Sequence, residues 1–173
     1  MTQVRFPHTS SFPHQSVLTG VVAALACAGL MALVGPARAQ EPTIPPAVMT
    51  KFRACLASTQ AEKDCSAMIY DACQAAHDQP DTTLSITECA MMSHKGWDII
   101  LNERYRTLIA ASPPDLKVKL RAAQKAWISL RDADCAAIYE ANKEGTIRGP
   151  LYAFCMVEHT ADRASWLKSF NEN

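Results

Sequence analysis

Six cysteines, at positions 55, 65, 73, 89, 135 and 155, constrain this chain more than any other feature. They fall into three near neighbours in sequence, with a break in the helical pattern inside each pair. Cys55 and Cys65 are centred on residue 60, within the polar run Ser58 to Lys63. Cys73 and Cys89 are centred on residue 81, within the break Asp78 to Thr83, and Cys135 and Cys155 are centred on Gly145. Residues equidistant from the turn of an antiparallel helix hairpin face one another. The spacing therefore predicts bridges 55–65, 73–89 and 135–155, with 55–73 as the alternative for the first if the second helix folds back more sharply. Each bridge would restrict the unfolded chain and contribute on the order of 2–4 kcal/mol. No Cys-x-x-Cys run and no paired Cys/His spacing suggests zinc, so neither a metal nor another cofactor is expected.

A disulfide framework requires an oxidising compartment, and the amino terminus supplies a route to one. Val17 to Gly35 is an uncharged, mostly apolar run, followed by Pro36 and the small-x-small pair Ala37 and Ala39. Residues 1–39 read as a signal peptide cleaved after Ala39, which places the protein in the periplasm or outside the cell. An uncleaved anchor is the alternative, and membrane contact is expected only in that case. Cys27 lies inside the apolar run, which continues beyond it, so lipidation is not expected.

The chain holds 17 Lys+Arg and 17 Asp+Glu, and losing Arg5 and Arg38 with the leader leaves two more acidic than basic groups. No basic block suggests nucleic acid, and residues 40–90 are acidic, which suits a cationic protein partner.

The remaining pattern is helical throughout. Ala47 to Ser58 forms a first helix, and Asp64 caps a second that runs to about His77. Ser85 with Glu88 has the spacing of a capping box and opens a third helix to about Ala111, striped by Trp97, Leu101, Tyr105 and Leu108. Ser112 caps a fourth helix to about Lys143, with Gly145 as the stop. Pro150 opens a fifth, whose buried side is expected to hold Leu151, Phe154, Cys155, Trp166, Leu167 and Phe170. No stretch alternates as a strand would. The fold class is all-α: a disulfide-stapled antiparallel helical hairpin array of about five helices.

In the fourth helix Leu120, Gln124, Trp127, Arg131 and either Asp134 or Cys135 recur at steps of three and four, so one face mixes apolar anchors with an amide and a guanidinium. This stretch is expected to be the spine to which both neighbouring helices are fastened. Buried Gln and Arg need fixed partners, and a carboxylate such as Asp98 is expected for Arg131.

The motifs Leu101-Asn102-x-x-Tyr105, Ala123-Gln124-x-x-Trp127-x-x-x-Arg131-x-x-x-Cys135 and Cys155-x-x-x-x-Thr160-x-x-Arg163 together resemble the LprI-like lysozyme-inhibitor family of secreted bacterial proteins. The resemblance covers about residues 73 to 169. It makes residues 40–72 a cysteine-containing N-terminal extension and 73–173 the LprI-like helical domain. It also sets apart the polar residues Asp98, Asn102, Tyr105, Gln124, Thr160 and Arg163 with Trp127 and Arg131. They read either as a recognition patch or as a hydrogen-bond network locking three helices; their shared faces with Trp127 and Leu101 favour the network.

The family usually carries a Gly-Gly-Ser-like loop before the last cysteine, where this chain has Glu144-Gly145-Thr146-Ile147-Arg148. The resemblance implies a protein partner: a lysozyme or related cell-wall hydrolase blocked by an exported inhibitor. Lysozyme-type enzymes are commonly cationic and hold two carboxylates in a cleft, so an acidic surface could steer the encounter and a loop could enter the cleft. Lys143, Glu144, Thr146 and Arg148 are the loop residues for that role, with an ordinary solvated turn as the alternative. The other function class is an envelope structural or assembly factor that binds a periplasmic protein without touching lysozyme. Catalysis is not expected: His94 and His159 are isolated, Ser129 has no His/Asp arrangement, and Asp132 and Asp134 point to different helix faces.

Overall fold

The computed structural model describes residues 43–58 and 61–172. The apolar run, the Ala37/Ala39 motif and Cys27 lie outside the described residues. The elements are helix α1 (Pro46–Ser58), a 3-10 turn at Glu62–Cys65, and helices α2 (Ala67–Gln74), α3 (Thr83–Ala111), α4 (Pro114–Ala141) and α5 (Arg148–Glu172). Among the described residues there is no strand, and no helix is long and apolar enough to cross a membrane.

Helices α3 and α5 form the spine, and they run parallel. Gly149 at the start of α5 abuts Thr87 at the start of α3, and Arg104 near the end of α3 donates to the Ala164 carbonyl near the end of α5. Each contributes nine buried residues, against three for α4, so the expectation that Leu120–Cys135 is the spine is corrected. The reason lies in side-chain size. The inner face of α5 is Ala153, Val157, Thr160, Ala161, Ala164 and Leu167, mostly small, which lets two helices approach closely along their length. Leu151, Phe154, Trp166 and Phe170, expected inside, are each more than a third exposed on its flanks. Of the expected six, Cys155 and Leu167 are buried.

Trp97 fills the centre and is fully buried, edge-on to Phe52 of α1 with ring centroids 5.1 Å apart. Phe52, Leu56, Cys65 and Ile69 belong to the same core as Trp97, Leu101, Leu108, Leu120 and Leu167. Residues upstream of Cys73 thus close one side of a common core. Gly96 permits this: a Cβ there would collide with the Cδ1 of Ile69 from α2.

Three disulfides close the hairpins: Cys55–Cys65, Cys73–Cys89 and Cys135–Cys155, with Cα–Cα distances of 6.0, 5.4 and 5.6 Å. These distances are ordinary for a bridge between adjacent helices.

The helix ends depart from the sequence reading at four places. Asp64 caps no helix; it lies inside the 3-10 turn, and α2 begins only after Ser66. The box expected at Ser85 and Glu88 starts three residues earlier. Thr82 is extended and its hydroxyl accepts from the Ser85 amide at 3.1 Å, while the buried Ser85 hydroxyl donates to the Gln79 carbonyl at 2.7 Å. Ser112 ends α3 rather than starting α4: its hydroxyl donates back to the Leu108 carbonyl at 2.7 Å, and two prolines then reset the backbone. Helix α4 stops at Ala141, capped by Asn142, whose side chain donates to the Ile138 carbonyl at 2.8 Å.

Candidate protein-binding surface

The α4–α5 hairpin tip is built by short-range chemistry. Cys135–Cys155 fixes the two helix ends, and the chain then turns through Asn142–Ile147 by local backbone hydrogen bonds, among them Lys143 to Glu140 and Gly145 to Asn142. Arg148 closes the turn. Its Nη1 donates to the Lys143 carbonyl at 2.6 Å, and its guanidinium lies 5.2 Å over the Tyr139 ring. Tyr139 in turn meets Tyr152 edge to face, with centroids 6.1 Å apart. Lys143 pairs with Glu140 at 2.9 Å. Lys143, Glu144, Thr146 and Arg148 are all exposed. Around them Ile138, Tyr139, Ile147 and Leu151 show 37–46% of their surface to solvent. The apolar flank was not legible as a surface, because helical periodicity alone placed Leu151 inward.

Part of the motif set meets between α4 and α5. Arg163 donates its Nε–H to Gln124 Oε1 at 3.0 Å, and its guanidinium lies 4.3 Å from the Trp166 ring and 5.8 Å from Trp127. Burial pushes this guanidinium below its ordinary pKa, opposed by Tyr105. The Arg131 guanidinium lies 5.0 Å from the Trp127 ring centroid and donates to Asp132 Oδ1 at 2.8 and 2.9 Å. Its carboxylate partner is therefore the next residue, not Asp98. Asp98 instead accepts from Asn102 Nδ2 at 2.8 Å within α3, and Asn102 is exposed. Tyr105 packs half-buried against the core. Thr160 is fully buried, and its Oγ1 has no hydrogen-bond partner in the structure, like His94 Nε2 and Trp97 Nε1. Burial, then the Arg131 charge, holds His94 below its ordinary pKa.

One polar centre was missed from the sequence. Glu62, in the polar run Ser58 to Lys63, is 4% exposed and accepts from Arg104 at 2.6 and 2.8 Å, Ser165 at 3.1 Å and Lys168 at 3.2 Å. Burial alone would raise its carboxyl, but Arg104 above all, with Lys168 and Ser165, holds it below the usual range. Glu62 lies far in sequence from every partner, so no local spacing marks it.

The tip is thus an exposed, covalently anchored surface of mixed apolar and charged character, while among the motif residues Arg163 joins α5 to Gln124 and Trp127 of α4. A family model described as Lysozyme inhibitor LprI matches residues 73–167, more than half of the chain. An uncharacterised protein of Rhizobium meliloti (strain 1021) is 28% identical over 114 residues, spanning 58% of this chain and 79% of that protein. No solved structure matches it.

Proposed function

We propose, from the premise that this chain belongs to the lysozyme inhibitor LprI family, that its exported form binds and blocks a lysozyme or a related cell-wall hydrolase. The α4–α5 tip is the contact surface. The observation that carries this is the combination at one place of Tyr139, Ile147 and Leu151 exposed beside Arg148 and anchored through Cys135–Cys155. Trp, Tyr and Arg side chains supply most binding energy in protein interfaces, and a pre-ordered loop loses little freedom on docking. Arg148 offers a guanidinium to a cleft carboxylate, and the mildly acidic remainder steers a cationic enzyme. Export through residues 1–39 brings the inhibitor to the compartment where such enzymes act, and its bridges persist there.

The test is a cell-wall lysis assay with lysozymes of several types and the oxidised protein in molar excess. Dose-dependent inhibition is expected. Arg148→Glu and Ile147→Asp should each weaken it at least tenfold without moving the unfolding midpoint. Undiminished lysis by every type would sink this reading and favour an envelope assembly role, in which the same tip engages another periplasmic protein.

A further inference from the structure

One flank of α5 leads away from the tip. Leu151, Phe154, Glu158 and Asp162 recur at steps of three and four, so they share one side of the helix, and all four are exposed. At the rise of an α-helix, the run from Leu151 to Asp162 covers about 16 Å. Leu151 belongs to the tip surface. The other three line a cavity of about 420 Å³, which α5 closes together with the 3-10 turn, α2 and α3. That volume lies within the usual range of ligand pockets, roughly 300–1,000 Å³.

The floor of this cavity is mostly apolar and its rim is charged. Val157 and Ala161 are buried, as is Ser93, whose hydroxyl is committed to the Ser66 carbonyl at 3.1 Å. Tyr70 of α2 and Phe154 of α5 form an aromatic wall, with ring centroids 5.4 Å apart. At the rim Lys63 Nζ meets Asp162 Oδ1 at 2.7 Å, with both side chains more than half exposed. Asp162 above all, with Glu158, holds the Lys63 ammonium above its ordinary pKa. Burial, then the charges of Asp71 and Asp81, pushes the Tyr70 phenol up, so two further carboxylates act on the aromatic wall. Among the lining residues one ammonium, Lys63, thus stands against two carboxylates, Glu158 and Asp162.

We propose that this cavity receives an arginine side chain of the cationic hydrolase that the tip engages, so that tip and cavity form one contact surface along α5. The inference rests on the proposed function for its partner. A long basic side chain lays its methylene stem on apolar walls and keeps its charge at the water. A guanidinium stacks on the face of Tyr or Phe and takes a carboxylate through two parallel hydrogen bonds. Lys63 holds the place of the guest's charge. Its ammonium swings to solvent when the guanidinium arrives, and parting an exposed pair costs little.

The direct probe is n-butylguanidinium chloride, followed through the amide chemical shifts of the oxidised chain. Saturable binding is expected, with shifts centred on Tyr70, Phe154 and Ala161, and with weaker binding of the neutral n-butylurea. Lys63→Ala should tighten the probe about threefold by freeing both carboxylates, and Asp162→Asn should weaken it about threefold, the scale of an exposed charge pair. A pair with a structural role alone moves both variants in the same direction. Absent shifts at the cavity, equal binding of the urea, or variants that fail to move oppositely would each overturn the inference. The second arm uses a lysozyme that the lysis assay finds inhibited. There Lys63→Ala should raise potency, while Asp162→Asn and Phe154→Ala lower it. Potency that falls with Arg148→Glu but ignores these three changes overturns the inference and leaves the proposed function standing. If no lysozyme is inhibited yet the probe binds as expected, the proposed function is lost, and the cavity keeps its guanidinium guest without that partner.

Discussion

The Arg104 guanidinium meets the Glu62 carboxylate through two hydrogen bonds, of 2.6 and 2.8 Å, although neither residue lies near the other in sequence. The same guanidinium donates to the Ala164 carbonyl at 2.9 Å, so one side chain joins the 3-10 turn, α3 and α5. Removing one partner strands a charge in the interior. Glu62→Gln and Arg104→Met should each destabilise the fold by about 3–5 kcal/mol, and the double variant by less than their sum. Urea unfolding of the four proteins measures that coupling; additive losses would show that the pair is not cooperative.

Acid should weaken the protein in two stages. His94 has a depressed folded pKa, so the native state takes up its proton later than the unfolded chain does. Its contribution is complete above the unfolded value, about 6.5, and is lost as pH falls below it. Glu62 is also depressed, and its contribution is lost as pH falls from the unfolded value, about 4.3, through the folded one. Unfolding midpoints measured from pH 8 to pH 3 should drop in both windows. His94→Gln should flatten the first and leave the second.

The small inner face of α5 sets its distance from α3. Ala164 is fully buried, so Ala164→Leu should overpack the pair and cost about 1–3 kcal/mol or more. Trp166, two residues on and 41% exposed, should tolerate Leu with less than about 1 kcal/mol lost. Equal losses at both positions, read from thermal or urea unfolding, would mean that the face is assigned wrongly.

Opening the last bridge separates stability from tip order. Cys135→Ser/Cys155→Ser should cost about 3 kcal/mol, as expected for a loop of this size, yet retain the helical circular dichroism spectrum because the α3–α5 core is intact. Under the proposed function, inhibition should fall further than stability does, since Tyr139 and Arg148 lose their fixed base. A variant as potent as the parent would detach binding from this hairpin.

What was legible in the sequence is what short range dictates. The three breaks, the α3 stripe of Trp97, Leu101 and Leu108, and the α4 face of Leu120, Gln124 and Cys135 all follow from turn residues and helical spacing, and these side chains are buried. The inner face of α5 was not legible, because apolar size favoured Trp166 and Phe170, whereas close helix approach selected Ala161 and Ala164. Cap positions slipped for a similar reason: Ser85 and Ser112 suit more than one role, and tertiary burial chose among them. At the candidate surface, the loop from Lys143 to Arg148 could be located from its glycine and charges. The use of Arg148 to brace Tyr139 depends on rotamers that spacing does not encode. Glu62 needed the whole fold.

The three bridges all close short spans, with sequence separations of 10, 16 and 20 residues, while the parallel pairing of α3 with α5 carries no covalent link. A chain emerging amino end first can therefore complete two of its bonds while α5 is still to come. The core that holds Trp97 then stays open until the α5 residues Val157, Ala161, Ala164 and Leu167 arrive to complete it. Most of the oxidation precedes the closing of the core in this protein, and a chain truncated before α5 would hold two of its three bridges, leave Cys135 without its partner, and present an open core to whatever chaperone or protease reaches it first.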